Sequence, residues 1–414
     1  MRATSALLAT LVAFSSAAAQ APRFFSTDYD RAVRMLAPTA GPLVVGGAVA
    51  ANWLPDERFW YRNTTATGTE TVLVDPAKRT RVVCDAQRTN CPGVPDPADP
   101  ASGGRGGRGG RGGGGGRGGA GGNAVLSPDG KRSAFIRDWN LWVRDVASGQ
   151  EKALTTDGVK DFGYATDNAG WAGSDRAILL WSPDSKRIAT SQQDERNVGE
   201  MYLVETKVGH PVLKAWKYPL PGDSVVQMLQ RVIIDVDAGK VTRLQLPPEY
   251  HRATLGDNIS MNDYKWSPDG SKLALVSTSR DHKQAVLRVA DAATGAVRTV
   301  FDETVKTHFE SRTGWQVLWP TNEVIWYSQR DDWGQLYLYD LNTGKVKNQI
   351  TTGEGPVSQI VKVDEASRTI WYAALGREKG QDPYFPHYYR IGFDGKNAVS
   401  LTPDDGDHTM QLSP

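Results

Sequence analysis

The sequence predicts an all-β fold: a β-propeller of four-stranded blades, seven to eight of them with the last incomplete, led by a short N-terminal helix. Three observations carry this. A Ser-Pro-Asp-Gly turn recurs, at Leu126-Ser127-Pro128-Asp129-Gly130, Trp181-Ser182-Pro183-Asp184-Ser185 and Trp266-Ser267-Pro268-Asp269-Gly270, with a looser Trp53-Leu54-Pro55-Asp56 near the start. A second punctuation follows it, Asp145 to Gly149, Asp235 to Gly239, Asp291 to Gly295 and Asp340 to Gly344. Between the two lie short β-compatible runs such as Lys272-Leu273-Ala274-Leu275-Val276 and Leu336-Tyr337-Leu338-Tyr339.

Each element has a chemical reason. In the first motif Pro presets φ, Ser and Asp bond their own backbone, and Gly accepts positive φ, so a turn joins two strands. Two hairpins per repeat make four strands, and four antiparallel strands every ~40 to 50 residues read as a blade that cannot bury both faces without neighbours. About 85 residues separate Trp181 from Trp266, which predicts a further blade with a degenerate turn between them. Leu412-Ser413-Pro414 opens one more copy that stops before its Asp and Gly, so the final blade is expected to be unfinished. A β-sandwich is the competing fold, but it requires no tandem repeat.

From the N-terminus, Met1-Arg2, the apolar Ala6 to Phe14 and the small residues Ser15 to Ala19 have the three regions of a secretory signal. Residues 1–19 are therefore expected to be a signal peptide cleaved after Ala19, and the protein to be exported, periplasmic or secreted. No later stretch approaches the ~20 apolar residues of a membrane span. Residues 20–44 form an N-terminal helical segment, with Tyr29 to Leu36 helical and packed outside the propeller, and residues 45–414 form the propeller. Cys84 and Cys91 are the only cysteines; in an oxidising compartment a local disulfide is expected, with two idle thiols as the alternative. Residues 93–123 are Pro/Asp-rich and then Gly/Arg-rich, a composition expected to stay disordered as an insertion within the propeller. Its Arg-Gly-Gly run lacks aromatic interleaving, and a net charge of +1 offers no general attraction to nucleic acid.

No Gly-x-Ser-x-Gly elbow occurs, so no catalytic residue is assigned. The six histidines, His210, His251, His282, His308, His387 and His408, form no His-x-x-x-His and no pairing with a nucleophile. Neither a metal site nor a cofactor is expected.

Several blocks resemble a known family. Tyr29-Asp30-Arg31-Ala32, Phe59-Trp60-Tyr61-Arg62, Leu73-Val74-Asp75-Pro76, Trp181-Ser182-Pro183-Asp184, Ser328 to Asp340, His387-Tyr388-Tyr389-Arg390 and Leu401-Thr402-Pro403 look like the N-terminal propeller of bacterial dipeptidyl peptidase IV-type serine peptidases, of the prolyl oligopeptidase clan. The likeness runs from about Phe24 onward and omits the Gly/Arg insertion; Ser328-Gln329-Arg330-Asp331-Asp332-Trp333-Gly334 is its most specific piece. The resemblance implies an eight-bladed propeller that admits and orients peptides for an α/β-hydrolase domain carrying Ser, Asp and His, a domain absent from these residues.

Such peptidases hold the substrate's free ammonium with adjacent glutamates in an Asp-Trp-x-x-Glu-Glu stretch. The matching stretch here, Asp167 to Asp175, has no glutamate pair. Asp167 and Asp175 are the candidate substrate-binding residues, each against a reading as a turn or capping residue. The resemblance thus predicts a substrate-gating portion of an exported serine peptidase, inactive alone, whose partner is a peptide reaching a missing or separate hydrolase domain. A stand-alone binding or scaffold propeller is the alternative from another class, and a two-carboxylate propeller glycosidase the third.

Overall fold

The computed structural model describes residues 25–40, 43–46, 49–95, 123–166, 176–206, 208–250, 261–309 and 314–413. The chain divides into two compact units, Met1–Arg111 with Gln411–Pro414, and Gly112–Met410.

The first unit holds one antiparallel sheet whose strands pair in chain order: Asn52–Trp53, Phe59–Thr65, Gly68–Asp75 and Thr80–Val83. Leu54, Leu73, Val94 and Cys91 form its small core, and a disulfide joins Cys91 to Cys84. The Gln411 side chain donates to the Ala51 carbonyl at 3.1 Å. The helix Ser26–Arg34 opens with the Asp28 carboxylate accepting the Phe25 N–H at 2.9 Å. It buries none of its residues and its Val33 stays exposed, where packing against the outside of the propeller was expected.

The second unit is a succession of antiparallel sheets. The second sheet pairs Val125–Leu126, Arg132–Arg137, Asn140–Asp145 and Glu151–Ala153. The fourth pairs Tyr264–Trp266, Lys272–Thr278, Gln284–Asp291 and Val297–Thr304. The fifth pairs Trp315–Leu318, Glu323–Asp331, Trp333–Asp340 and Val346–Gln349. The sixth pairs Val357–Asp364, Thr369–Ala374, His387–Gly392 and Val399–Ser400.

The third sheet departs from this plan. Its path is Leu180–Trp181, Arg187–Asp194, Met228–Asp235 and Lys240–Arg243, with Phe162–Tyr164 added on the second strand and Glu249–Tyr250 on the third. Between its second and third strands the chain leaves the sheet as a separate hairpin, Glu200–Glu205 with Val212–Lys217. The long interval between Trp181 and Trp266 therefore goes into one enlarged sheet and a hairpin, not into a further blade. The described residues hold six sheets of four or more strands, and the fold class, a propeller of four-stranded blades, stands.

The turns form as their chemistry dictates. Ser127 Oγ donates to Asp129 Oδ1 at 2.7 Å and accepts the Arg132 N–H at 3.0 Å, and Ser182 and Ser267 repeat the arrangement. In the second motif the Asp carboxylate accepts a backbone N–H three residues on, from Ser148 to Asp145 at 2.7 Å and from Thr343 to Asp340 at 2.7 Å. Gly344 ends its turn at φ +69°, where a Cβ would lie 1.9 Å from the Val300 carbonyl oxygen, so both conformation and space require glycine.

In the second unit each core cluster is shared by two successive sheets: second with third, third with fourth, fourth with fifth, fifth with sixth. Adjacent residues of a strand go to opposite clusters, Ile234 to one and Ile233 to the next, Tyr337 to one and Leu338 to the next. Sheets buried on both faces explain why runs such as Lys272–Thr278 are nearly continuously apolar. The repeat tryptophans sew the seams. Trp181 Nε1 donates to the Val125 carbonyl at 3.2 Å, Trp266 Nε1 to that of Leu180 at 3.3 Å, and Trp315 Nε1 to that of Asn262 at 3.1 Å.

Candidate functional site

Buried charge concentrates in the sheet that breaks the four-strand plan. Arg231 sits in the apolar strand Met228–Asp235, 4% exposed. Its Nε donates to Glu249 at 2.5 Å and its Nη1 to Asp263 at 2.7 Å. Arg288 reaches the other Glu249 oxygen at 3.2 Å and Ser277 Oγ at 2.8 Å, and the Arg231 guanidinium lies 4.9 Å from the centre of the Tyr264 ring.

Two cations face two carboxylates, so the cluster is neutral where desolvation would punish any excess. Burial works against the Arg231 charge, but Tyr264, Glu249 and Asp263 overcome it and raise its pKa above the usual guanidinium value. Burial likewise opposes the Glu249 charge, and Arg231 and Ser277 outweigh it and lower the pKa. Burial raises the Asp263 pKa, and the neighbouring Arg231 offsets only part of that rise.

A second polar network lies where Phe162–Tyr164 pairs with Gln192–Asp194. Arg243 donates to Gln192 Oε1 and Gln230 Oε1, both at 2.6 Å, and to Tyr164 Oη at 3.2 Å. Tyr164 in turn donates to Asp157 at 3.2 Å; burial and then that carboxylate push its hydroxyl up to about 12. Gln193 donates to Glu195 at 2.8 Å, both buried. The Gln192 Nε2 donor is buried without a hydrogen-bond partner among the described residues.

Asp167 and Asp175, the candidate substrate-binding residues, lie outside the described residues, as does most of the Gly/Arg tract. The flanks of the 167–175 stretch are held together on the third sheet. Ile178 N–H donates to the Ala165 carbonyl at 2.9 Å, Ala165 N–H to that of Ser191 at 2.9 Å, and Thr190 Oγ1 to that of Ile178 at 2.7 Å. The described residues that flank the stretch thus lie beside Gln192 and Tyr164.

The Ser328–Gly334 block is a structural hairpin. Buried Glu303 accepts from Trp326 Nε1 at 2.9 Å, Ser328 Oγ at 2.6 Å and Arg330 Nη2 at 3.1 Å. The Arg330 guanidinium lies 4.4 Å from the centre of the Tyr337 ring, and Tyr337 donates to Asp331. A Cβ on Gly334 would fall 1.8 Å from Tyr327 Oη. His387 is buried, its Nδ1 2.6 Å from the Thr402 carbonyl oxygen. Among the described residues no group of three His, Cys, Asp or Glu is placed to hold a metal, and no helix is long and apolar enough to cross a membrane.

Sequence reading missed the Arg231 cluster. One signal was available: an arginine inside the apolar run Val232-Ile233-Ile234 and an aspartate directly before Tyr264-Lys265-Trp266, charges that a buried strand tolerates only when paired.

Five sheets of this kind, packed face to face in the larger unit, define a β-propeller-class protein of four-stranded blades. The model of the "Dipeptidyl peptidase IV (DPP IV) N-terminal region" family matches residues 119–414, and the chain belongs to that family. Among curated proteins it is similar to "Probable dipeptidyl-aminopeptidase B" of Aspergillus oryzae, 23% identical over 311 residues covering 67% of this chain and 33% of that protein. It is also similar to "Dipeptidyl-aminopeptidase B" of Aspergillus niger, 23% identical over 312 residues with the same coverage. The chain spans about a third of the length of these relatives. Among solved structures, dipeptidyl peptidase 4 of Porphyromonas gingivalis superposes with a TM-score of 0.56 at 16% identity, covering 86% of this chain and 44% of that one.

Proposed function

We propose that this chain is the substrate-gating propeller portion of an exported serine peptidase of the dipeptidyl peptidase IV type. It admits unfolded peptide, excludes folded protein and orients the peptide for a hydrolase domain that supplies the nucleophile. The family match over residues 119–414 is the observation that carries this reading. Two features support it. The 414 residues contain no Gly-x-Ser-x-Gly, so bond cleavage is assigned elsewhere. The described residues on either side of the 167–175 stretch are hydrogen-bonded to the enlarged third sheet.

The peptide end is assigned to Asp167 and Asp175. The stretch has no glutamate pair, so selectivity for a free N-terminus is expected to be weaker than a desolvated carboxylate pair gives. The N-terminal 19 residues support export.

The purified chain tests this directly. Incubated with chromogenic dipeptidyl substrates and a serine-reactive fluorophosphonate, it is expected to release no product and take no label. Hydrolysis abolished by the fluorophosphonate would overturn the assignment of the nucleophile to another domain.

A further inference from the structure

Two imidazoles meet beside the sixth sheet. His387 opens the strand His387–Gly392 and is 1% exposed. His408 comes from the stretch 401–410, which follows the last strand of that sheet and forms no strand or helix of its own. Their ring centres lie 5.0 Å apart, with the planes at 60°.

His387 Nδ1 is 2.6 Å from the Thr402 carbonyl oxygen, and His408 Nε2 is 2.8 Å from that of Asp404. A carbonyl oxygen only accepts, so each of these nitrogens carries the proton of its neutral ring and the opposite nitrogen keeps a bare lone pair. His387 Nε2 is buried and has no hydrogen-bond partner, a state that costs stability unless something fills it. One ring nitrogen donating to a backbone carbonyl while the other stays open is the arrangement that orients a metal-binding histidine, and both rings have it. Another facing pair, His282 and His308 with centres 5.5 Å apart, does not: among the described residues no hydrogen bond fixes either ring.

We propose that His387 Nε2 and His408 Nδ1 bind a divalent transition metal of the zinc and copper class, for which imidazole is a suitable ligand. Bonds of about 2 Å at a tetrahedral angle place two imidazole centres about 5 Å apart, as the rings already stand. Water takes the remaining positions, since no third His, Cys, Asp or Glu is in place among the described residues. The exposed Asp404, Asp405 and Asp407, with no Lys or Arg in the stretch 401–410, favour a cation there. Both cysteines are held in the disulfide, so no thiolate competes for the metal. The bound ion ties the stretch 401–410 to the sixth sheet, and this assignment is independent of peptide gating.

The test is isothermal titration of the whole untagged chain, stripped of metal by a chelator, with Zn²⁺ and with Mg²⁺ as the control cation that prefers oxygen ligands. One saturable Zn²⁺ site per chain is expected, weakened about tenfold or more in His408→Ala and kept in His308→Ala, with no Mg²⁺ binding. His408 lies outside the sheets, so its variant is expected to fold, which circular dichroism checks. Electron paramagnetic resonance of Cu²⁺ bound to His308→Ala, expected to show coupling to two imidazole nitrogens, tests the site without touching either ligand. No saturable Zn²⁺ binding, equal affinity in wild type and His408→Ala, loss of the site in His308→Ala instead, or a Cu²⁺ spectrum without two imidazole nitrogens would each overturn the proposal.

Discussion

Glu323 shows how one buried carboxylate joins two sheets. Burial alone would raise its pKa; hydrogen bonds from Arg368 and Lys347 outweigh burial and hold the carboxyl at about 2. A carboxyl depressed in the folded state adds stability in full above its unfolded-state value of about 4.3, and that stability is lost as pH falls through the folded value. Glu323→Gln is therefore expected to cost roughly 1–3 kcal/mol at pH 7, with the difference from wild type shrinking between about pH 5 and pH 2. Urea unfolding of both proteins across that range checks the claim, and a pH-independent difference would refute it. Little of this residue-scale chemistry was legible in advance. Arg231 and Asp263 are 32 residues apart and Arg288 and Glu249 39 apart, so only the fold brings them into contact. Asp167 and Asp175 were identified from a motif, and the geometry around them rests on their anchored flanks.

At the scale of the element, the turns were the most legible part, because their hydrogen bonds are local. The Ser-Pro-Asp-Gly and Asp-x-x-x-Gly motifs each close a hairpin where expected. Two turns escaped notice: Asp75 accepts the Lys78 N–H at 3.0 Å and Asp364 the Ser367 N–H at 3.1 Å, but Arg79 at φ +53° and Arg368 at φ +51° occupy the usual glycine position. The enlarged third sheet was misread for a related reason, since an inserted hairpin lengthens the interval between repeats just as an extra blade would. The tryptophans Trp181, Trp266 and Trp315 each add a hydrogen bond across a seam. Trp266→Phe keeps most of the buried ring area and removes the donor to the Leu180 carbonyl, so a loss of about 1–2 kcal/mol is expected. Trp315→Phe acts at the next seam, and the two losses should add to within about 0.5 kcal/mol. Chemical denaturation of the two single variants and the double variant decides this; wild-type stability in Trp266→Phe would show that the seam bond contributes nothing.

At the scale of the whole molecule, successive sheets share their cores, so stability spreads along the chain through nearest-neighbour seams. Near-neutral net charge leaves recognition to local groups. Fold and family were legible from the sequence because tandem turns and the Ser328–Gly334 block are dense, local signals; the location of the candidate site was less so, because it depends on one irregular sheet. The central claim, that this chain receives peptides at the third sheet, is tested most directly by photo-crosslinking. A short peptide with a free N-terminus and a photoreactive side chain is irradiated with the purified protein, and the adducts are mapped by mass spectrometry. Adducts clustered on residues 157–178 and on the Gln192–Glu195 and Gln230–Arg243 segments, and competed by unlabelled peptide but not by a folded protein, are the predicted result. Adducts absent, or scattered over the outermost strands of other sheets, would contradict it.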